Sequence, residues 1–281
     1  MRVSLAQVDS TLGDIDANVE RAAEAILAAR TEGADLIVFP ELQLSGYSIG
    51  DVDTDLALRP DDERLERLAK HAGSAGVVLT FPEAGPGGMH TYNSAAYYQD
   101  GRLVHLHRKL YLPNYLSFEE RKHFTPGQAM RAFDADAGRM AVLICNDAWQ
   151  PQVAFLATQD GAHILLVPVT SAQSAFPERY DSQGYWRGIT RFYGRMCQLF
   201  VVFTNRVGAE GGMRFWGGSH IVDPWGNVLA EAPEHQEHLL TVDIDLADVR
   251  RRRRDIPLVK EARLGLVDRE VRRLLDEGGD L

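Results

Sequence analysis

The chain has 281 residues, 45% of them hydrophobic, which is enough for one large α/β domain with a substantial core. Its formal net charge of −10 excludes nucleic acid as a main partner, because phosphate binding needs a basic surface. No apolar run approaches the ~20 residues of a membrane span. The N-terminal stretch lacks the apolar core and cleavage site of a secretory signal, and two cysteines make no disulfide framework, so a reducing, cytoplasmic setting is expected.

Strand and helix alternate along the chain. "RVSLAQV" (2–8) reads as a strand, and residues 15–30 carry Ile15, Val19, Ala22, Ala23, Ile26 and Leu27 at helical spacing. "ADLIVFP" (34–40) is a buried strand stopped by proline. A polar helix near 61–73 precedes a strand at 76–83, and 91–109 reads as two strands around "QDG". "GRMAVLIC" (138–145), "PQVAFLATQDG" and "HILLVPVTS" give strand, helix, strand. Residues 182–198 read as a helix, "LFVVFTN" as a strand, and "GGSHIVDPWGNVLAEA" and "EHLLTVDIDL" as further strands. The tail from 247 is charged and partly helical. No linker divides the chain, so residues 1–257 read as a single domain and 258–281 as a C-terminal arm, part helical. A β–helix–β unit near 2–39 recurs near 139–169 and suggests an internal pseudo-repeat. The pattern implies an α/β fold of mixed sheets with helices outside.

Such folds place chemistry beyond the carboxyl ends of strands. Three side chains stand there: Glu41 after "LIVFP", Lys109 after "LVHLHR" and Cys145 after "AVLI". Singly, each has a plain structural reading: solvated glutamate, surface lysine, buried small cysteine. Together they supply a thiol, a base and a cation for a developing oxyanion. Histidine offers no better base. Ser219 and His220 are strand neighbours on opposite faces and cannot pair. His105 and His107 share one strand face at a spacing that could hold a metal, but no second cluster completes a site, so a polar strand face is expected. Cys197, in "YGRMCQLFVVFTN", has no acid nearby in sequence and reads as a structural cysteine.

"FPELQLSGY" (39–47), "HRKLYLPNY" (107–115) and "LICNDAWQP" (143–151) resemble, in order and spacing, the three signature blocks of the nitrilase superfamily, the carbon–nitrogen hydrolases. The resemblance extends over residues 2–257. It implies a four-layer α-β-β-α sandwich, a Glu-Lys-Cys triad, and neither metal nor organic cofactor. By that resemblance Glu41 is the general base and later general acid, Lys109 stabilises the tetrahedral intermediate, and Cys145 is the nucleophile. It also implies a second glutamate in "NYLSFEERKHFTPG" (114–127): Glu119 and Glu120 compete, and alignment on "RKHF" favours Glu120. The Asn146 backbone N–H is the expected second oxyanion donor. Tyr47, Asn146, Trp149, Thr170 and Ser171 flank strand mouths and are candidate substrate-binding residues, with packing an equal alternative for Trp149.

The expected reaction is hydrolysis of a small amide through a cysteine thioester, with release of ammonia. "SGYSIGDVDTDL" and "LPNYLSFEERKHFTPG" are most similar to the glutaminase-type amidase domain of glutamine-dependent NAD synthetases, although 281 residues leave no room for a synthetase domain. "ICNDAW" is also similar to the "CND" of N-carbamoyl amino acid hydrolases. Asn146 and Asp147 stand where true nitrilases carry tryptophan and glutamate, which places nitrile hydrolysis third. A non-catalytic binding module is the alternative of another class. The arginine run 250–254 reads as a solvated or interface face, and the resemblance implies a homodimer or higher homo-oligomer.

Overall fold

A computed structural model describes residues 1–115, 118–174 and 176–279. Residues 116 and 117, inside the predicted second-glutamate segment, and 280 and 281, at the end of the predicted arm, lie outside the described residues.

Fourteen strands and six α-helices follow in chain order among the described residues. The first half holds β1 (Arg2–Gln7), α1 (Ile15–Thr31), β2 (Leu36–Val38), α2 (Glu63–Ala72), β3 (Gly76–Ala84), β4 (Thr91–Gln99) and β5 (Arg102–Arg108). The second holds β6 (Phe133–Ala135), β7 (Gly138–Val142), α3 (Pro151–Gln159), β8 (Ile164–Val169), α4 (Ser182–Tyr193), β9 (Phe200–Asn205), β10 (Val207–Glu210), β11 (Met213–Trp216), β12 (His220–Val222) and β13 (Val228–Glu231). β14 (His238–Asp243), α5 (Ala247–Asp255) and α6 (Leu264–Asp276) complete the chain.

Two six-stranded mixed sheets result, ordered β14-β1-β2-β3-β4-β5 and β13-β12-β9-β8-β7-β6. In each, three parallel strands joined by helices are flanked by antiparallel ones. The alternating faces explain the layering. Val3, Leu5, Leu36, Val38 and Val78 on the first sheet meet Val142, Ile144, Leu166 and Val202 on the second. Ile37, Val77 and Leu79 face away from that core and pack on Val19, Ile26, Leu65 and Leu68 of α1 and α2. Ala141, Leu165 and Val201 likewise pack on Val153 and Ala157 of α3 and Trp186 of α4. The molecule is therefore an α-β-β-α sandwich of four layers, and the predicted β–helix–β recurrence is a repeat of topology.

Several local expectations shift. The strand expected to reach Cys145 ends at Val142, and Cys145–Trp149 forms a 3₁₀ turn. The helix expected over 182–198 ends at Tyr193 and closes in a π turn, Gly194–Gln198. The three-residue β6 and the hairpin β10–β11 were not anticipated: the first is too short for a pattern, and the second is interrupted by Gly208, Gly211 and Gly212, all at positive φ. His105 and His107 do not form a polar solvated face. β5 lies beside the second sheet's edge, so His105 stacks on Phe133 (centroids 4.3 Å apart) and burial drops its pKa to about 4, while His107 is buried. The arginine run is divided. Arg251 pairs with Asp245 and Asp248, Arg254 with Asp255, and Arg253 turns inward to the Ala162 carbonyl. Among the described residues no helix is long and apolar enough to cross a membrane.

Candidate active site

Glu41, Lys109 and Cys145 lie 68 and 36 residues apart in sequence, and the sandwich brings them to one place between the sheets. Glu41 leaves β2 through Pro40, whose carbonyl accepts from Thr80 Oγ1 of the neighbouring β3. Its carboxylate is fully buried and fully engaged. Oε1 accepts from Lys109 Nζ (2.6 Å) and Asn93 Nδ2 (2.8 Å), and Oε2 accepts from the Thr170 amide (3.0 Å). The Thr170 hydroxyl donates to the Glu41 carbonyl (2.6 Å), so the strand end after β8 fixes both ends of this residue.

Lys109 follows β5 and is likewise fully buried, not the surface charge its "HRKLY" context suggests on its own. Its Nζ donates to Glu41 Oε1 and to Glu120 Oε1, both at 2.6 Å. Burial opposes its charge, but Glu120 and Glu41 more than offset it and hold the ammonium pKa well above the usual lysine range. Of the two competing glutamates, Glu119 is exposed and pairs with Lys122, whereas Glu120 is buried. Tyr47 donates its hydroxyl to Glu120 Oε1 (2.6 Å). Burial and the neighbouring Glu41 charge raise Glu120 to about 7, against the pull of Lys109. Its Oε2 is buried without a partner among the described residues.

Cys145 opens the 3₁₀ turn at φ +45°, a left-handed conformation that costs a non-glycine residue roughly 1–3 kcal/mol and is typical of sites where backbone strain aims a side chain. Burial, and next the Glu41 charge, push its thiol well above the ordinary value; Lys109 and the Thr170 amide act in the opposite sense. Cys145 therefore rests as the thiol. Both cysteines are free. Cys197 is half-buried, packs against the α3–α4 core and has its pKa raised by burial, which matches its structural reading.

Asp147 is the residue that sequence reading passed over. It is fully buried and accepts four hydrogen bonds from two segments. Oδ1 takes the Leu110 and Tyr111 amides (2.9 Å each), and Oδ2 takes His107 Nε2 (3.0 Å) and the Ile144 amide (3.1 Å). It thus ties the His107 side chain, before Lys109, and the backbone just after Lys109 to the turn that carries Cys145. The only sequence signal is symmetrical spacing, with His107 two before the lysine and Asp147 two after the cysteine. A second hidden network anchors the loop after Glu41. Buried Arg206 binds Asp9 and Glu210, and Glu210 accepts the Tyr47 and Ser48 amides. Gly46, at φ +81°, lets that loop pass: a Cβ there would lie 2.7 Å from Glu210 Oε2.

The remaining candidates divide. Tyr47 and Thr170 support the charged cluster directly, as above. Asn146 faces the mouth, where its Oδ1 accepts from the Tyr115 hydroxyl (3.1 Å) and its Nδ2 donates to the Tyr111 carbonyl. Ser171 donates its amide to Asn205 Oδ1 and lines a cavity. Trp149 belongs to an aromatic group with Tyr180, Tyr185 and Trp186, so packing accounts for it. His220 is buried between Thr190 and the Gly218 carbonyl, away from Ser219 as its strand position requires. Among the described residues no three His, Cys, Asp or Glu side chains gather as metal ligands.

A family model for carbon-nitrogen hydrolases matches residues 2–254. The chain belongs to the carbon-nitrogen hydrolase family. A glutamine-dependent NAD(+) synthetase of Thermotoga maritima is 33% identical over 251 residues, which cover 88% of this chain and 42% of the synthetase. The chain thus spans less than half of that relative. A citrullinase of Francisella tularensis is 28% identical over 96% of this chain and 99% of its own length. Among solved structures, a Nesterenkonia amidase from the nitrilase superfamily superposes with a TM-score of 0.80 at 25% identity, covering 96% of each chain. This carbon-nitrogen hydrolase therefore has the nitrilase fold and is an enzyme acting on C–N bonds.

Proposed function

We propose that the enzyme hydrolyses a small amide through a thioester on Cys145, releasing ammonia. The observation that carries this reading is the fully buried Lys109 ammonium, held at 2.6 Å by both Glu41 and Glu120 beside the thiol. Glu41 takes the Cys145 proton as sulfur attacks the amide carbon. The resulting oxyanion is stabilised by Lys109 and by the Asn146 amide, which lies second in the 3₁₀ turn, where amides have no intrahelical acceptor. Such a donor is worth ~3–4 kcal/mol. The C–N bond breaks, ammonia leaves with the proton from Glu41, and Glu41 then activates the water that cleaves the thioester. Glu120 and Tyr47 hold Lys109 in place throughout.

The amide reading agrees with the glutamine dependence and the amidase activity named for two of the relatives. Carbamoyl hydrolysis is the second reading, favoured by the citrullinase that matches nearly end to end. Nitrile hydrolysis ranks third. Ammonia release from a panel of amides, N-carbamoyl amino acids and nitriles, with Cys145→Ala alongside, tests the ranking. Activity on amides that the variant lacks is expected; silence across the panel from folded protein would favour a binding module. We further infer a homodimer or higher oligomer. α6 has no buried residue and leaves Leu264, Val271, Leu274 and Leu275 about half exposed, an apolar face that a second copy would cover. A monomer by light scattering at micromolar concentration would overturn this.

A further inference from the structure

Arg206 stands between β9 and β10, and its backbone and side chain serve two different parts of the active site. Its amide donates to the carbonyl of Val169 (3.1 Å), the residue before Thr170, which holds Glu41. Its buried guanidinium donates to Glu210 (2.7 Å), to Asp9 (3.0 Å) and to the Ser10 carbonyl (2.6 Å). Asn205, just before it, accepts the Ser171 amide (2.8 Å). The start of the hairpin β10–β11 is therefore fixed against the exits of both β1 and β8.

Glu210 carries the connection onward. It closes β10 and is buried. Its Oε1 accepts the Tyr47 amide (2.9 Å) and the Ser48 amide (2.6 Å), while Oε2 accepts Arg206 Nη1. A carboxylate that takes two consecutive amides fixes the backbone between them, and the Tyr47 side chain follows that backbone. The ring meets Phe118 edge to face (5.9 Å) within an apolar group that includes Leu42, Leu112, Phe124 and Phe215. Its hydroxyl donates to Glu120 Oε1 (2.6 Å), the same oxygen that accepts Lys109 Nζ (2.6 Å). An unbroken line of buried contacts thus runs Arg206–Glu210–Tyr47–Glu120–Lys109.

We propose that Glu210 is a positioning residue for the Lys109 ammonium, acting through Tyr47 and Glu120. This rests on the amide-hydrolase reading above, in which Lys109 stabilises the oxyanion. The two carboxylates that hold Lys109 are supported unequally. Glu41 is held by Asn93 and by Thr170, whereas the Glu120 carboxylate has only Lys109 and the Tyr47 hydroxyl as partners among the described residues, and its Oε2 has none. A shift of Tyr47 therefore frees Glu120 to turn and takes Lys109 with it. A donor aimed at a developing charge loses its effect when it is displaced by a fraction of an ångström. A buried ion pair is a poor source of net stability; the Arg206–Glu210 pair instead fixes the hairpin of the second half to the loop after Glu41 in the first.

The test is a double-mutant cycle of Glu210→Gln and Tyr47→Phe, read on the fastest amide of the panel above. Each single variant is expected to lower kcat roughly 10-fold with KM nearly constant. The double variant should fall little below the slower single one, because both changes break the same line of contacts. A merely structural Glu210 would give independent losses, roughly 100-fold together. That additivity, a loss confined to KM, or full activity in Glu210→Gln would overturn the assignment. Should Glu210→Gln fail to fold by circular dichroism, Glu210→Asp, which keeps the charge and shortens its reach, takes its place in the cycle. If wild type hydrolyses no amide, the amide reading fails separately, and the cycle is read on alkylation of Cys145 by iodoacetamide, since the Lys109 charge favours the thiolate. Slower alkylation in both single variants with little further loss in the double upholds the positioning role. Unchanged alkylation in the Glu210 variant, or additive losses, removes it.

Discussion

In the first sheet the parallel trio β1-β2-β3 is flanked by β14 on one side and β4-β5 on the other; in the second, β7-β8-β9 is flanked in the same way by β6 and β12-β13. The helices match as well, with α1 and α2 joining the first trio and α3 and α4 the second. Equivalent strand ends nevertheless carry different groups. The exit from β2 holds Glu41, and its counterpart after β8 holds Thr170, which serves Glu41 through a backbone amide and a hydroxyl. The exit from β7 leads to Cys145, and its counterpart after β1 leads to Asp9, which is used to hold Arg206. The duplicated plan therefore builds one site, to which the first half brings carboxylates and the cation and the second brings the thiol. What separates the halves is side-chain identity at matched positions.

Five substitutions test that division of labour. Cys145→Ala removes the second half's contribution and should lower turnover on the order of a million-fold with the fold intact by circular dichroism; residual rates near wild type would remove the mechanism. Lys109→Met removes the cation of the first half. It should cost at least ~100-fold in kcat and destabilise by ~3–5 kcal/mol in urea denaturation, because Glu41 and Glu120 are left buried together without a counter-charge. Asp147→Asn attacks the clamp between the halves by turning a donor toward a set of N–H groups. We expect kcat to fall ~10- to 100-fold with KM nearly constant; His107→Gln, which keeps a donor near the same place, should be milder than His107→Leu. A larger effect on KM than on kcat would contradict the positioning role.

The last effect concerns pH. With Glu120 at about 7 in the folded protein and an ordinary value of 4.5, the native state holds a proton that the unfolded chain has lost between those limits. Unfolding free energy should therefore decline as pH rises from about 4.5 to 7, by up to ~3 kcal/mol, and level off above. Glu120→Gln should lack this slope. An identical pH dependence in both proteins would assign the titration elsewhere.

Much of the site was legible because its residues close or follow apolar runs, a local signal that needs no partner. Glu41, Lys109, Cys145 and the choice of Glu120 over Glu119 came from motif order. The clamp of Asp147 was not legible, since three of its four partners lie 36 to 40 residues away and an aspartate in a turn looks solvated. Nor was the hairpin β10–β11, whose glycines erase strand periodicity.

The sequence by itself determined the alternation of strands and helices, the pseudo-repeat and the identities of the three side chains that gather in the candidate site, because hydrophobic period and residue chemistry are properties of short segments. Only the tertiary structure decided that Lys109 is buried between two carboxylates, and that Thr170 and Asp147 hold Glu41 and the turn of Cys145. Those facts depend on which surfaces the two sheets bury against each other, and no local pattern records a partner on the opposite sheet.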